Sequence, residues 1–512
     1  MAAPTSLLRG ARAFARDFPR DLMPQGYLWD VVDYVPLIID APLTGRGAWK
    51  WGTASAADGD INMGILATYS TGEQALFGTT TGSWYQVDPN PPYNITLRGA
   101  SYISLQNPTQ LKDDVIVPNS GGNTTPHIWR ATGGPVPMAA GAGRNAKYAT
   151  VYKSMLISAG DPSEPSAVRF SVPDQDLASA ASYDGRSVEK TTQAVTGLAA
   201  LRAALLVFHP GSVERIRGSE PAHGQTNSGD LIIEPLFDRV GCKDNKTIAL
   251  WNDNCIFADE HGVHITDAAV IRNLVSQGSI LYYWRNAWST KTSAQGCTFL
   301  DYYIITVRRP TGPITLICDL NKRQWFRFSN LDALCYVASG GSQGMERIWA
   351  GIVGTNRLAR VSPCFFPLLD GNPVVDDNGV TVLPVFETPW YRLGQEGRKR
   401  IRFGYLSYDV RTGPVGRAAD LEADGGAPPP APPEVLAALA PILNVGYIRS
   451  PQQSSYTSIG NLPATADYRR YKLPLGQFPY GVAFKVAQTA ASTVTRIFDL
   501  AVESQPAERS RV

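Results

Sequence analysis

An all-β chain is what the sequence predicts, on three observations. Short apolar runs of strand composition recur about every 40 to 50 residues. Glycine and proline together make about a sixth of the 512 residues, without collagen-like or low-complexity periodicity. Aromatic residues are abundant, with 11 Trp and 22 Tyr, while charge is low. A chain of this length exceeds one compact core, so at least two domains are expected.

The amino-terminal stretch 1–27, "MAAPTSLLRGARAFARDFPRDLMPQ" and onward, is rich in arginine. Arg9, Arg12 and Arg16 interrupt any apolar run of signal-peptide length. A transit peptide fits the composition better, although Asp17 and Asp21 weigh against one. The alternative is an arm, helical from Ser6 to Arg16, that docks on a neighbour. No span of about 18 apolar residues occurs, so no membrane anchor is expected.

The recurring runs are "ALFGT" (Ala75), "DVIVPN" (Asp114), "SMLISAG" (Ser154), "ALLVFH" (Ala204), "NCIFAD" (Asn254), "YYIITV" (Tyr302) and "RIWAGI" (Arg347). Several follow an apolar lead-in such as "AKYATVY" or "DNKTIALW", and most precede a turn and a further strand, as in "PGSVERIRG" and "EHGVHIT". Lead-in, buried strand, turn and outer strand make a β-meander. A meander buries only one face by itself, so copies must stack. The interval suits the four-stranded blade of a β-propeller, predicted over residues 28–365 with about seven blades.

"HGVH", with His261 and His264 beside Asp259 and Glu260, raises the possibility of a metal or acid/base site. Zinc needs a third ligand and an orienting second shell. The other histidines, His127, His209 and His223, lie in other repeats without ligand spacing. The preferred reading is a hairpin turning at Gly262, with both histidines as turn and surface residues and no bound metal.

Beyond Pro363 the pattern changes to strands separated by Gly, Asn and Asp turns. Residues 366–505 are predicted to form a C-terminal β-sandwich, with a Pro/Ala-rich insertion at about 412–441 and a fraying tail at 506–512. In "GRKRIRF", Arg398, Arg400 and Arg402 would share one strand face, suited to phosphate or to acidic residues of a neighbouring subunit. The plainer reading is a solvated face. The loop-like "LYYWRNAWST" places Trp284 and Trp288 as candidate interface anchors, with core packing as the alternative.

Six widely spaced cysteines without CxxC, most in apolar runs, read as buried free thiols. A net charge of +2 gives no global sign of a nucleic-acid binder. Walker A, GxGxxG, GxSxG and HExxH patterns are absent, so neither an enzyme nor a cofactor is expected. The carboxylate pairs Asp113–Asp114, Asp259–Glu260 and Asp376–Asp377 are neighbours in sequence, which a strand sends to opposite faces. They read as turn acids.

Several phrases in order carry a resemblance: "WDVVDYVPLIIDAPLTGRGAWKWGT", "AAGAGRNAKYATVYKSMLISAGDPSEPSAVRFSVPDQDLAS", "GLAALRAALLVFHPGSVERIRGSEP" and "VGCKDNKTIALWNDNCIFADEHGVHITDAAVIRNLVSQGSI". Together they resemble the hub or nozzle proteins of short-tailed bacteriophages. The resemblance implies a structural virion protein: a ring of six copies below the portal and adaptor that lines the DNA conduit and docks fibres or a needle. It also implies residence in the virion tail, with host cytoplasm as the place of assembly, and offers no catalytic residues. Competing expectations are a carbohydrate-binding or glycosidase-type propeller on the virion and a cellular propeller scaffold.

Overall fold

The computed structural model describes residues 56–87, 94–100, 108–118, 126–138, 146–173, 177–178, 188–218, 229–277, 280–299, 301–339 and 347–361. At the chain ends it describes 5–6, 28, 30–32, 34–35, 43–45, 49–51, 368–369, 372–373, 376–377, 380–381, 385–387, 391–392, 399–411, 443–448, 455–462, 469–474, 477–478, 481–488 and 494–506.

Among these residues the chain is all-β, and its centre is a succession of four-stranded antiparallel meanders. Six of them span 61–99, 109–137, 148–190, 197–238, 249–273 and 293–328. A seventh takes three strands from 333–361 and borrows its fourth, Trp49–Trp51, from near the amino terminus. The recurring apolar runs all fall on second strands: Gly72–Thr79, Asp114–Val117, Met155–Asp161, Leu205–Phe208, Asn254–Asp259, Tyr302–Arg308 and Arg347–Ile352. The lead-ins are first strands, and the outgoing segments are third strands.

Alternation explains why the second strands are apolar throughout. In Leu205–Phe208, Leu205 and Val207 pack with the third unit, while Leu206 and Phe208 pack with the fifth. In the next repeat, Cys255 and Phe257 face the fourth unit, and Ile256 and Ala258 face the sixth. A strand sends successive side chains to opposite faces, so only a strand covered on both sides needs an unbroken apolar run. Phe208 and Phe257 meet across one such junction with ring centroids 4.9 Å apart. Trp84 and Trp129 meet at 6.0 Å between units one and two. Each buried aromatic contributes roughly 1.5–3 kcal/mol of transfer free energy.

The series closes on itself. Cys335, Val337 and Trp349 of unit seven share an apolar cluster with Ile61, Phe77 and Val87 of unit one, with Phe77 edge-on to Trp349 at 6.4 Å. Tight turns use the left-handed region: Lys153–Ser154 and Asn252–Asp253 both have two successive positive φ values, as in a type I′ hairpin.

At the chain ends, strands from both termini share sheets. Asp30–Val32 pairs with Arg327 on one side and with Val385–Glu387 on the other, so the sheet of unit six continues into the C-terminal strands. Thr5–Ser6 and Leu43–Thr44 both pair with the last long strand, Val494–Pro506. That strand runs beside Lys399–Arg411 in a second sheet. Leu406 and Leu500 of this sheet share one apolar cluster with Val445, Phe484 and Val486 of the other. The insertion at 412–441 lies outside the described residues, as does the stretch 7–27. No helix among the described residues is long and apolar enough to cross a membrane.

Candidate functional site

The turn joining second and third strands carries a buried acid and histidine five residues apart in two consecutive repeats. In unit five, Asp259 ends the second strand, and its Oδ1 accepts from the backbone N–H of His261 (2.7 Å) and Gly262 (3.0 Å). The same oxygen lies 2.8 Å from His264 Nε2, five residues on. Asp259 and His264 are both buried, and the imidazole packs 5.3 Å from the Phe257 ring. Gly262 adopts a positive φ, and a Cβ there would collide with the Asn273 amide.

His261 is exposed at the turn, as expected. His264 is not the surface residue the sequence reading made it: its Nε2 closes an interior turn. Among the described residues no group of three His, Cys, Asp or Glu side chains could hold a metal ion.

Fifty residues earlier the pair is inverted. His209 occupies the position of Asp259, and Glu214 that of His264. Both are buried, with Nε2 and Oε2 3.5 Å apart. His209 Nδ1 donates to the Ala194 carbonyl, and Thr192 Oγ1 donates to Glu214 Oε1. An acid and a histidine thus flank the turn at the same five-residue separation in either order, but in unit four their hydrogen bonds go to Ala194 and Thr192. The sequence reading missed this pair, although the spacing in "HPGSVE" and "DEHGVH" was there to be compared.

A second feature lies at the middle of the ring. The 3-10 turn Asn245–Thr247 precedes unit five, and its Lys246 Nζ donates to the Asn62 carbonyl of unit one at 2.6 Å. Units one and five are not neighbours in the ring, so this bond spans its centre. Tyr303 of unit six donates its hydroxyl to the Thr247 carbonyl at 2.8 Å. Burial pushes the Lys246 ammonium below its ordinary pKa, because the desolvated charge is disfavoured. Nothing in "DNKTI" announced this role, since a lysine's reach across a ring has no sequence period.

The candidate interface residues fare unevenly. "LYYWRNAW" is not a loop: Leu281–Ser289 is a helix that packs Trp284, Ala287 and Trp288 inward. Trp284 is fully buried, donates Nε1–H to the Asp259 carbonyl at 2.9 Å, and stacks on Trp288 at 5.0 Å. The anchor reading of these two tryptophans is therefore corrected to core packing. The four-residue spacing puts both rings on one helical face. Tyr282 is the ring left exposed. Arg398 lies outside the described residues. Arg400 pairs in the ladder with Gln505 and Gln477, and the register shifts between Ile401 and Phe403, at Arg402. That shift is a β-bulge in the ladder.

A groove of about 260 Å³ opens between units five and six. Trp251 and Asn254 flank the first turn of unit five, Asp267 and Val270 form its third, and Leu320, Asn321 and Arg323 come from the corresponding third turn of unit six. Arg272 completes the polar lining, with Ile265 and Leu274 behind. Hydrogen bonds from the backbone N–H groups of Val270 and Ala269 hold the Asp267 carboxyl below the usual range.

No protein-family model matches the sequence. No curated protein matches it either. Solved structures similar to the chain include the WD40 repeats of RRP9, at 12% identity and a TM-score of 0.42, covering 62% of this chain and 99% of that one. BamB from Moraxella catarrhalis is similar at 12% identity and a TM-score of 0.35, covering 70% and 97%. The Neurospora crassa Pan2 WD40 domain is similar at 10% identity and a TM-score of 0.40, covering 62% and 96%. Likeness at this level carries no argument about what the chain does.

Proposed function

We propose that the seven four-stranded units are the blades of one β-propeller, that the two C-terminal sheets pack as a β-sandwich, and that the protein is a non-enzymatic structural component of a phage tail. In this reading it is a homo-oligomeric nozzle or hub, six copies forming a ring around the DNA conduit, in contact with portal or adaptor proteins and with fibres or a needle. The ordered resemblance of four sequence phrases is one support. The observation that carries the reading is the knitting of the chain ends. Amino-terminal strands close the last unit, bridge unit six to the C-terminal strands and pair with the final strand. Parts tied by backbone ladders resist being pulled apart, which suits a load-bearing assembly.

Lys246 adds a constraint. Its bond to Asn62 links units one and five across the ring, and in this reading the conduit lies between copies and not along one copy's own axis. Light scattering on the purified chain tests the proposal. A mass several times 55.4 kDa, with electron microscopy showing a ring open at its centre, is the expected result. A monomer both in solution and within the virion defeats it. The alternative, a receptor-binding propeller on the same particle, draws on the groove between units five and six.

A further inference from the structure

We infer that the groove between units five and six is a binding site for a sugar carboxylate, such as a uronic acid unit of an acidic glycan. The inference does not depend on the assembly state proposed above.

Its two arginines are the starting point. Elsewhere among the described residues guanidinium groups are commonly held by carboxylates: Arg130 by Asp114, Arg215 by Glu234 and Arg308 by Asp332. Arg272 and Arg323 have neither a hydrogen-bond nor an ion-pair partner among the described residues, yet line one groove. Two guanidinium groups lining one space, Arg272 near enough to Asp267 to help hold that carboxyl low, suit a further carboxylate, which a guanidinium binds in bidentate fashion. Asp267, the one carboxylate in the lining, has its Oδ1 engaged by two backbone N–H groups. The lining therefore carries a net positive charge of one, from two guanidinium groups against one carboxylate.

The remaining walls argue for a ring-bearing ligand over a bare anion. About 260 Å³ is far more than a phosphate or acetate fills. Trp251 supplies an aromatic wall, tethered by its Nε1–H to Asp301 Oδ1 at 3.4 Å, and Ile265, Leu274 and Leu320 supply an apolar floor. Asn254 spends its amide N–H on the Asn252 carbonyl, which leaves its side-chain oxygen to accept from a hydroxyl. Asn321 offers a further amide. A carboxylate, an apolar ring face and several hydroxyls on one small body describe an acidic pyranose.

The walls are also rigid. Asn252 and Asp253 form a type I′ turn, the Asp253 carboxylate accepts from the Arg202 backbone N–H at 2.8 Å, and Arg323 itself sits at positive φ. A preorganised groove loses little entropy on binding.

Saturation-transfer NMR on the full chain, with galacturonate as probe, tests the inference. Galacturonate is expected to give transfer from its ring protons, with galactose binding at least tenfold more weakly. Arg272→Gln and Arg323→Gln should each weaken galacturonate by at least fivefold while leaving the unfolding midpoint unchanged, since both arginines are exposed. Four results overturn the proposal: no transfer to galacturonate, equal binding of galactose, full competition by equimolar acetate or phosphate, or tighter binding of a Glu-rich peptide through the same arginines. The last would make the groove a protein-docking site.

Discussion

Lys246 donates its ammonium hydrogen bond to the Asn62 carbonyl, a partner 184 positions away on a strand across the ring. That one contact ties two units that share no backbone ladder.

The tie should titrate. Burial sets the folded pKa of Lys246 below the ordinary lysine value of 10.5. Between those two values the unfolded chain binds more protons than the folded one, so stability from this group rises with pH there. The burial penalty is complete below the folded pKa and is relieved as pH climbs towards 10.5. Relative to Lys246→Met, the wild-type chain should gain stability as pH rises towards 10.5. Paired urea titrations measure it, and a difference that stays flat with pH contradicts the tie.

Asp259 satisfies three donors in an interior turn. Asp259→Ala leaves them unpaired and should destabilise the protein by about 3 kcal/mol. His261→Asn, at the exposed tip of the same turn, should change stability by no more than about 0.5 kcal/mol. Denaturant midpoints of the two variants, compared side by side, give the contrast.

Gly351 sits where a Cβ would collide with the Ile61 carbonyl, at the junction of units seven and one. Gly351→Ala should open that junction, costing about 3 kcal/mol or more because backbone cannot yield as a side chain can. Hydrogen exchange should then rise first along Ile61–Tyr69 and Arg347–Ile352. Unchanged protection in both strands would show that the junction absorbs the methyl group.

Cys242, Cys255, Cys318 and Cys335 are free and buried. Burial pushes the Cys242 thiol up to about 12 and Cys335 to about 11. Native protein treated with iodoacetamide at pH 8 should leave all four unmodified, and guanidinium should expose them. Mass spectrometry of the digested protein reads this directly. Rapid native alkylation of Cys242 is the contrary result.

Arg400 and Arg402 lie in the long C-terminal ladder, with Arg402 at its bulge. Reversing both to Glu should impair ring assembly if they meet acidic residues of a neighbouring subunit, since charge pairs in an interface set register. Sedimentation velocity would then show the smaller species. Normal assembly with altered DNA retention would place these arginines in the conduit instead.

The repeat was legible because its cause is local and periodic. "LLVF" and "CIFA" are apolar at every position since each strand is covered on both faces, and that requirement is written into consecutive residues. The hairpin at "DEHGVH" was legible for a similar reason, as Gly262 marks the turn. The burial of His264 was not, because an exposed histidine and one that bonds an aspartate five residues back read alike. "LYYWRNAWST" misled because aromatic content suggested a surface, while the spacing of Trp284 and Trp288 described a helix face. What the sequence determined by itself is the meander and its interval, through alternation and turn chemistry. Only the tertiary structure decided which distant partners meet: Trp49–Trp51 with Leu358–Val361, Lys246 with Asn62, and Arg272 with Arg323 around one groove. Such meetings depend on the closure of the whole ring, and no stretch of the chain carries that closure locally.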